Sequence, residues 1–207
     1  MDNYKKNLKL LTENHVYSKD MEHDACGVGV IASTEGKKSR EIVEYGIEAL
    51  KAVWHRGAVD ADGKTGDGAG IHVEIPKDFF IEKIEVTGHD YDNSEICVGM
   101  IFLPRNDYSS QESCKTIVES ELTKNDFSIY GWRQVPVNPK ILGEKAFQTM
   151  PEIIQVLFKS NDPNLIDKNL ERKIYETRKK IENKAFELSL NNFYICSISS
   201  KSIIYKG

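Results

Sequence analysis

Cys26-Gly27-Val28-Gly29-Val30-Ile31-Ala32 is the stretch from which the fold and the chemistry of this chain are best read. Its apolar run predicts a short strand over 26–32, with Gly27 and Gly29 letting another backbone approach on one face. The cysteine at its head is the candidate nucleophile. An ordinary thiol is only a few per cent thiolate near neutral pH. A cysteine freed as a chain terminus also carries an α-amine, with a pKa of ~7.7–8.0, that can take its proton. Cleavage before Cys26 would therefore join nucleophile and base in one residue.

The segment upstream agrees with such a cut. Residues 1–25 are polar and mixed in charge, with Leu8, Leu10 and Leu11 isolated among Lys, Asn and Thr. They lack the unbroken apolar stretch of ~7–15 residues that a secretory signal requires. They also lack a helix-period apolar face, so 1–25 reads as a leader or propeptide without a structural element of its own. A lipid anchor on Cys26 fails for the same want of an apolar segment before it.

The chain of 207 residues, 40% of them hydrophobic, is enough for one domain or part of one. A net charge of -4 and a pI near 5.8, with no basic stripe, exclude a nucleic-acid-binding class. No stretch approaches the ~20 apolar residues that span a bilayer. The four cysteines, at 26, 97, 114 and 196, show no C-x-x-C spacing, so neither a metal site nor a disulfide framework is expected. Without an export signal, the expected location is the cytoplasm, where Cys97, Cys114 and Cys196 serve as small buried apolar residues.

Further along, Ser39 is placed to cap a helix whose stripe is Ile42, Val43, Ile47, Leu50, Val53 and Trp54, ended by Gly57. Ala61–Gly70 is a glycine-rich loop leading into an alternating strand over 71–75. Strands are predicted over 95–103 and 127–137. A capping box over 109–112 predicts a helix between them. A charged helix is predicted over 166–190, with Glu171, Lys173, Glu176 and Lys180 facing solvent. Phe193–Ile198 and Ser202–Tyr205 read as a terminal hairpin. Strands and helices without strict alternation indicate the α+β class. Gly66–Gly70 lacks the spacing of a phosphate cradle. His72, Trp132 and Arg133 read as packing residues.

Several runs together carry a resemblance: Glu22–Gly29, Trp54-His55-Arg56-Gly57-Ala58, Ala61–Gly70, Val98–Pro104, Gly131–Pro136 and Ile203–Gly207. In this order they resemble the class II glutamine amidotransferase domain, of the N-terminal-nucleophile hydrolase type, that opens the glutamate synthase large subunit. The resemblance covers roughly 17–207. It implies a four-layer αββα sandwich, incomplete at the C-terminus, with 1–25 as leader and 26–207 as the N-terminal part of the domain. It implies Cys26 as catalytic nucleophile, with Arg56, Gly27 and Asp67 in substrate binding or support of the active site. In the family, a substrate-gripping arginine and an oxyanion-hole Asn-Gly pair come after the Tyr-Lys-Gly run, so this segment is not expected to act alone.

The resemblance further implies glutamine hydrolysis to glutamate and ammonia, for reductive transfer to 2-oxoglutarate. No cofactor is expected in this segment, while FMN and an iron-sulfur cluster are expected elsewhere in such an enzyme. The implied partners are glutamine, the rest of the large subunit, and a small NAD(P)H-oxidising subunit or ferredoxin. Other class II amidotransferases usually lose only an initiator Met before Cys-Gly, whereas 25 residues precede Cys26 here. The alternative from another class is a non-catalytic remnant or interaction module that keeps the half-fold.

Overall fold

The computed structural model describes residues 2–14, 27–54 and 57–207. Four strands form one antiparallel sheet in the order β3-β4-β2-β5: β2 (Cys97–Leu103), β3 (Phe127–Gln134), β4 (Glu152–Ser160) and β5 (Tyr194–Ser199). The central strands β2 and β4 are covered on both faces, which explains their nearly continuous apolar sequences. Two strands, β1 (Gly70–Glu74) and β6 (Ser202–Lys206), pair antiparallel in a second, smaller sheet.

Alternation along β2 splits its side chains between two cores. Cys97, Ile101 and Leu103 join Ile154, Val156 and Phe158 of β4 beneath two helices, α4 (Tyr108–Lys124) and α6 (Asp167–Glu187). From α4 come Cys114, Ile117, Val118 and Leu122; from α6 come Leu170, Ile174 and Ile181. Phe127 meets Phe158 edge to face at 5.3 Å. On the opposite face, Val98, Met100 and Leu157 meet Ile75, Ile203 of β6, and Phe80 and Ile84 of helix α3 (Lys77–Val86). This second core lies between the two sheets. Its fully buried polar residue, Gln155, accepts from Arg133 Nη1 at 2.8 Å and donates to Tyr205 OH at 3.5 Å. Both ends of the amide are thereby satisfied, as burial requires.

The helix α2 (Arg40–Ala52) is capped as the sequence predicts, with Ser39 Oγ accepting from Ile42 N at 3.3 Å. It ends at Ala52 with Val53 as C-cap, ahead of the stop read at Gly57. Gly46 lets it lie against Ile71 of β1, because a Cβ there would be 3.2 Å from Ile71 Cδ1. The short helix α5 (Glu144–Thr149) comes after a turn of 3-10 helix over Pro139–Ile141.

Five expectations need correction. Residues 27–33 form no strand: among the described residues they have no ladder partner, and Val28 is 92% exposed. The terminal pair is not a hairpin, because β5 bonds to β2 while β6 bonds to β1. Glu171 does not face solvent. Its carboxylate accepts from Ser199 Oγ and from Ser200 N and Oγ at 2.7–3.0 Å, fixing the turn where the chain changes sheets. The cap of α4 is Asp107, two residues before the predicted Ser109. Residues 2–14, read as lacking structure, form helix α1 (Asp2–Asn14); residues 15–25 of that segment lie outside the described residues. The α+β class stands, and both sheets are antiparallel. Among the described residues no helix is long and apolar enough to cross a membrane.

Candidate functional site

Of the predicted site residues, Gly27 and Asp67 are described, whereas Cys26 and Arg56 lie outside the described residues. Gly27 is exposed and sits at the end of α2, where a Cβ would be 3.6 Å from Val53 Cβ. Gly57 N donates to Trp54 O at 3.1 Å, which turns the chain away from that helix end.

Asp67 organises the loop beyond this turn. Its Oδ2 accepts from Ala58 N at 2.9 Å, and its own N–H donates to Ala58 O at 3.2 Å. Beyond this closure, Val59 bridges Gly66 and Asp60 N donates to Thr65 O at 2.7 Å. Residues 57–67 are therefore a small hairpin whose base is clamped by Asp67. The clamp falls on the backbone that leads out of Arg56.

The tip of this hairpin carries a residue that sequence reasoning passed over. Asp62 Oδ1 accepts from Lys64 N at 2.9 Å and Thr65 N at 2.7 Å, and Oδ2 accepts from Thr65 Oγ1 at 2.5 Å. The Thr65 hydroxyl, then the Thr65 and Lys64 amides, hold the Asp62 carboxyl well below the usual carboxylate range. The run Asp62-Gly63-Lys64-Thr65 was a signal for this turn, since an Asp side chain binds amides shortly downstream of itself.

The glycines at 68 and 70 have a steric reason. A Cβ on Gly68 would lie 2.9 Å from Gly207 O, and one on Gly70 would lie 2.9 Å from Lys206 Cβ. Ala69 and Gly207 exchange backbone hydrogen bonds at 2.9 and 3.0 Å, so the loop is laced to the end of β6. Beside this junction an open apolar groove of about 280 Å³ is lined by Leu50, Ile71, Met100, Val135, Ile153 and Tyr205. His72, on β1, has Nε2 2.7 Å from Ser202 Oγ of β6.

The described cysteines do not provide a second nucleophile or a cluster site. Burial pushes the Cys97 thiol up, Cys114 up to about 11, and Cys196 up, so all three stay protonated at neutral pH. Cys97 and Cys114 face one core and Cys196 the other. Among the described residues no group of His, Cys, Asp and Glu could hold a metal ion, and these cysteines do not fit an iron-sulfur cluster. Trp132 and Arg133 pack as read: Trp132 Nε1 donates to Glu119 at 2.7 Å, and the Arg133 guanidinium lies 5.1 Å from the Phe79 ring centre.

The model of the family described as glutamine amidotransferases class-II matches residues 26–207. Over 204 residues, 99% of this chain, the sequence is 52% identical to the glutamate synthase [NADPH] large chain of Azospirillum brasilense, of which 13% is covered. It is 41% identical over 193 residues, 90% of the chain, to the ferredoxin-dependent glutamate synthase of Antithamnion sp., covering 12% of that protein. Against ferredoxin-dependent glutamate synthase 1 of Arabidopsis thaliana it is 40% identical over 188 residues, with 90% of this chain and 12% of the relative covered. The chain thus spans about 12–13% of the length of these relatives.

Proposed function

The chain belongs to the class II glutamine amidotransferases, and from that membership we propose that residues 26–207 serve a glutamate synthase by releasing ammonia from glutamine at Cys26. The observation that carries this reading is that the family match begins at Cys26 itself. The nucleophile is then the first residue of the domain, and residues 1–25 are a leader whose removal exposes its amine.

In this reading the free α-amine of Cys26 takes the thiol proton, directly or through water, and the thiolate attacks the side-chain carbonyl carbon of glutamine. The tetrahedral oxyanion collapses, the carbon–nitrogen bond breaks, and nitrogen leaves as ammonia after taking a proton from the ammonium of Cys26. Water then cleaves the γ-glutamyl thioester, which yields glutamate and restores the thiol. While Ala25 remains attached, the nitrogen of Cys26 is an amide without useful basicity, so the uncut chain is inactive. Arg56 supplies positive charge beside the nucleophile, Gly27 gives room next to it, and Asp67 fixes the loop that leaves Arg56.

The ammonia goes to reductive transfer onto 2-oxoglutarate, with electrons from NAD(P)H through a small subunit or from ferredoxin. FMN and an iron-sulfur cluster belong to other parts of the polypeptide, and no step at Cys26 runs through them. The working location is the cytoplasm. We assign the layers to a four-layer αββα sandwich: α4 and α6 over the larger sheet, and α2 beside the smaller one. A core shared by both sheets supports this.

The test is glutamine-dependent ammonia release by the native-length protein and its Cys26→Ser variant. Loss of release by a factor of ~10³ or more is expected for removal of a covalent nucleophile. Undiminished release contradicts the assignment.

A further inference from the structure

The hairpin over 57–67 is held at two ends, and only one of them belongs to its own sequence. Its base is closed by Asp67 on Ala58. Its tip is pressed onto the start of α5, more than 75 residues downstream in the chain. A Cβ on Gly143 would clash with Thr65 Oγ1 and Asp62 Oδ2 and would lie 2.5 Å from Thr65 N. The Glu144 backbone helps to hold the Asp62 carboxyl below the usual carboxylate range. Lys145 Nζ donates to Asp60 Oδ2 at 2.5 Å, an ion pair whose acidic side chain is 33% exposed. Gly143 has an ordinary φ of -70°. A glycine there answers to the space the hairpin tip occupies, not to a backbone conformation that other residues avoid.

We propose that Gly143, Lys145 and Asp62 are positioning residues for glutamine turnover: they clasp the hairpin tip to α5 and so fix the backbone that leaves Arg56. The proposal rests on the glutaminase reading above. The Lys145–Asp60 tether contributes little to global stability, because the pair is largely solvated and exposed pairs are worth little. In the glutaminase reading the clasp's effect falls on the loop that begins one residue after Arg56, where a shift of ~1 Å can cost ~10²-fold in rate. Gly143→Ala forces the tip away from α5, whereas Lys145→Ala releases one tether and Lys145→Arg restores its charge.

The experiment compares the native-length protein with these three variants by glutamine-dependent ammonia release, thermal midpoint, and alkylation of Cys26. Two reagents separate the causes: a glutamine-shaped chloroketone, which must be seated, and iodoacetamide, which need only meet the thiolate. For Gly143→Ala the expected result is a fall of roughly 10²-fold in kcat/KM, an equal slowing of the chloroketone, unchanged iodoacetamide labelling and a midpoint lowered by only a few degrees, about what overpacking by one methyl costs. Lys145→Ala should show a few-fold loss that Lys145→Arg recovers, and this pair holds the test should Gly143→Ala not fold. Glutamine turnover within about two-fold of wild type in both Gly143→Ala and Lys145→Ala overturns the clasp. So does equal slowing of both reagents, which marks a damaged nucleophile. If the wild-type protein releases no ammonia and the chloroketone does not label Cys26, the glutaminase reading fails and takes the clasp with it.

Discussion

Gly70 has no room for a side chain, because β6 crosses it with Lys206 Cβ 2.9 Å and Tyr205 O 3.0 Å from where a Cβ would stand. Gly70→Ala is expected to lower the unfolding free energy by about 1–3 kcal/mol in urea titration, the usual cost of overpacking. Glu171 gives a second case: it accepts three hydrogen bonds from Ser199 and Ser200. Glu171→Ala leaves the nearly buried Ser200 groups to find new partners, and about 1–3 kcal/mol should be lost. The Asp62 carboxyl is held low by the Thr65 hydroxyl and neighbouring amides. A depressed carboxylate contributes fully above its unfolded value of ~3.9 and loses that contribution as pH falls through the folded value. Amide exchange at Lys64 and Thr65 should therefore stay slow and flat from pH 8 to about 5, after correction for intrinsic rates, and quicken only below about 4. Quickening near neutral pH would contradict the assignment. At this scale the sequence marked Asp67 as a site residue through its family motif. The partner of Asp67 could not be read there, since it closes on Ala58 across the loop; the local turn at Asp62 was signalled by the residues after it, but not the distant Gly143 that packs on its tip.

Elements were legible where their signal is local. The cap at Ser39 depends on a neighbour three residues away and stands in the structure, and the helix predicted over 166–190 forms over Asp167–Glu187, burying Leu170, Ile174, Ile181 and Ala185 at helical spacing. The cap of α4 was misplaced because Ser109, Ser110 and Asp107 all offer oxygen at cap spacing. Asp107 takes the role, with Oδ1 accepting from Ser110 N at 3.0 Å and Oδ2 from Ser110 Oγ at 2.5 Å. Asp107→Ala should accordingly lower the melting temperature and Ser109→Ala should not; equal effects would return the cap to Ser109. Strand pairing was less legible, because a ladder is a relation between distant segments. Tyr194–Ser199 and Ser202–Lys206 are strands as read, yet each bonds to a strand earlier in the chain. The run Glu152–Ser160 was passed over although Pro151 and Asn161-Asp162-Pro163 bracket it.

For the molecule as a whole, two cores on opposite faces of one sheet set the stability. Phe158 is fully buried against Phe127 in the core beneath α4 and α6. Phe158→Ala should cost about 3–5 kcal/mol in the same titration, far more than any change in the exposed 57–67 hairpin. A cost below about 1 kcal/mol would mean that the two helices do not close over this sheet. Composition and charge could bound the class, but not which helix covers which face, since several amphipathic stripes compete for the same apolar surface. The central claim is that Cys26 works as a chain terminus. The measurement that bears on it most directly is N-terminal sequencing with intact-mass analysis of the protein purified from its native cell. A mature chain beginning at Cys26 is the expected result. A catalytically active protein that still carries Ala25 in front of Cys26 would contradict the claim.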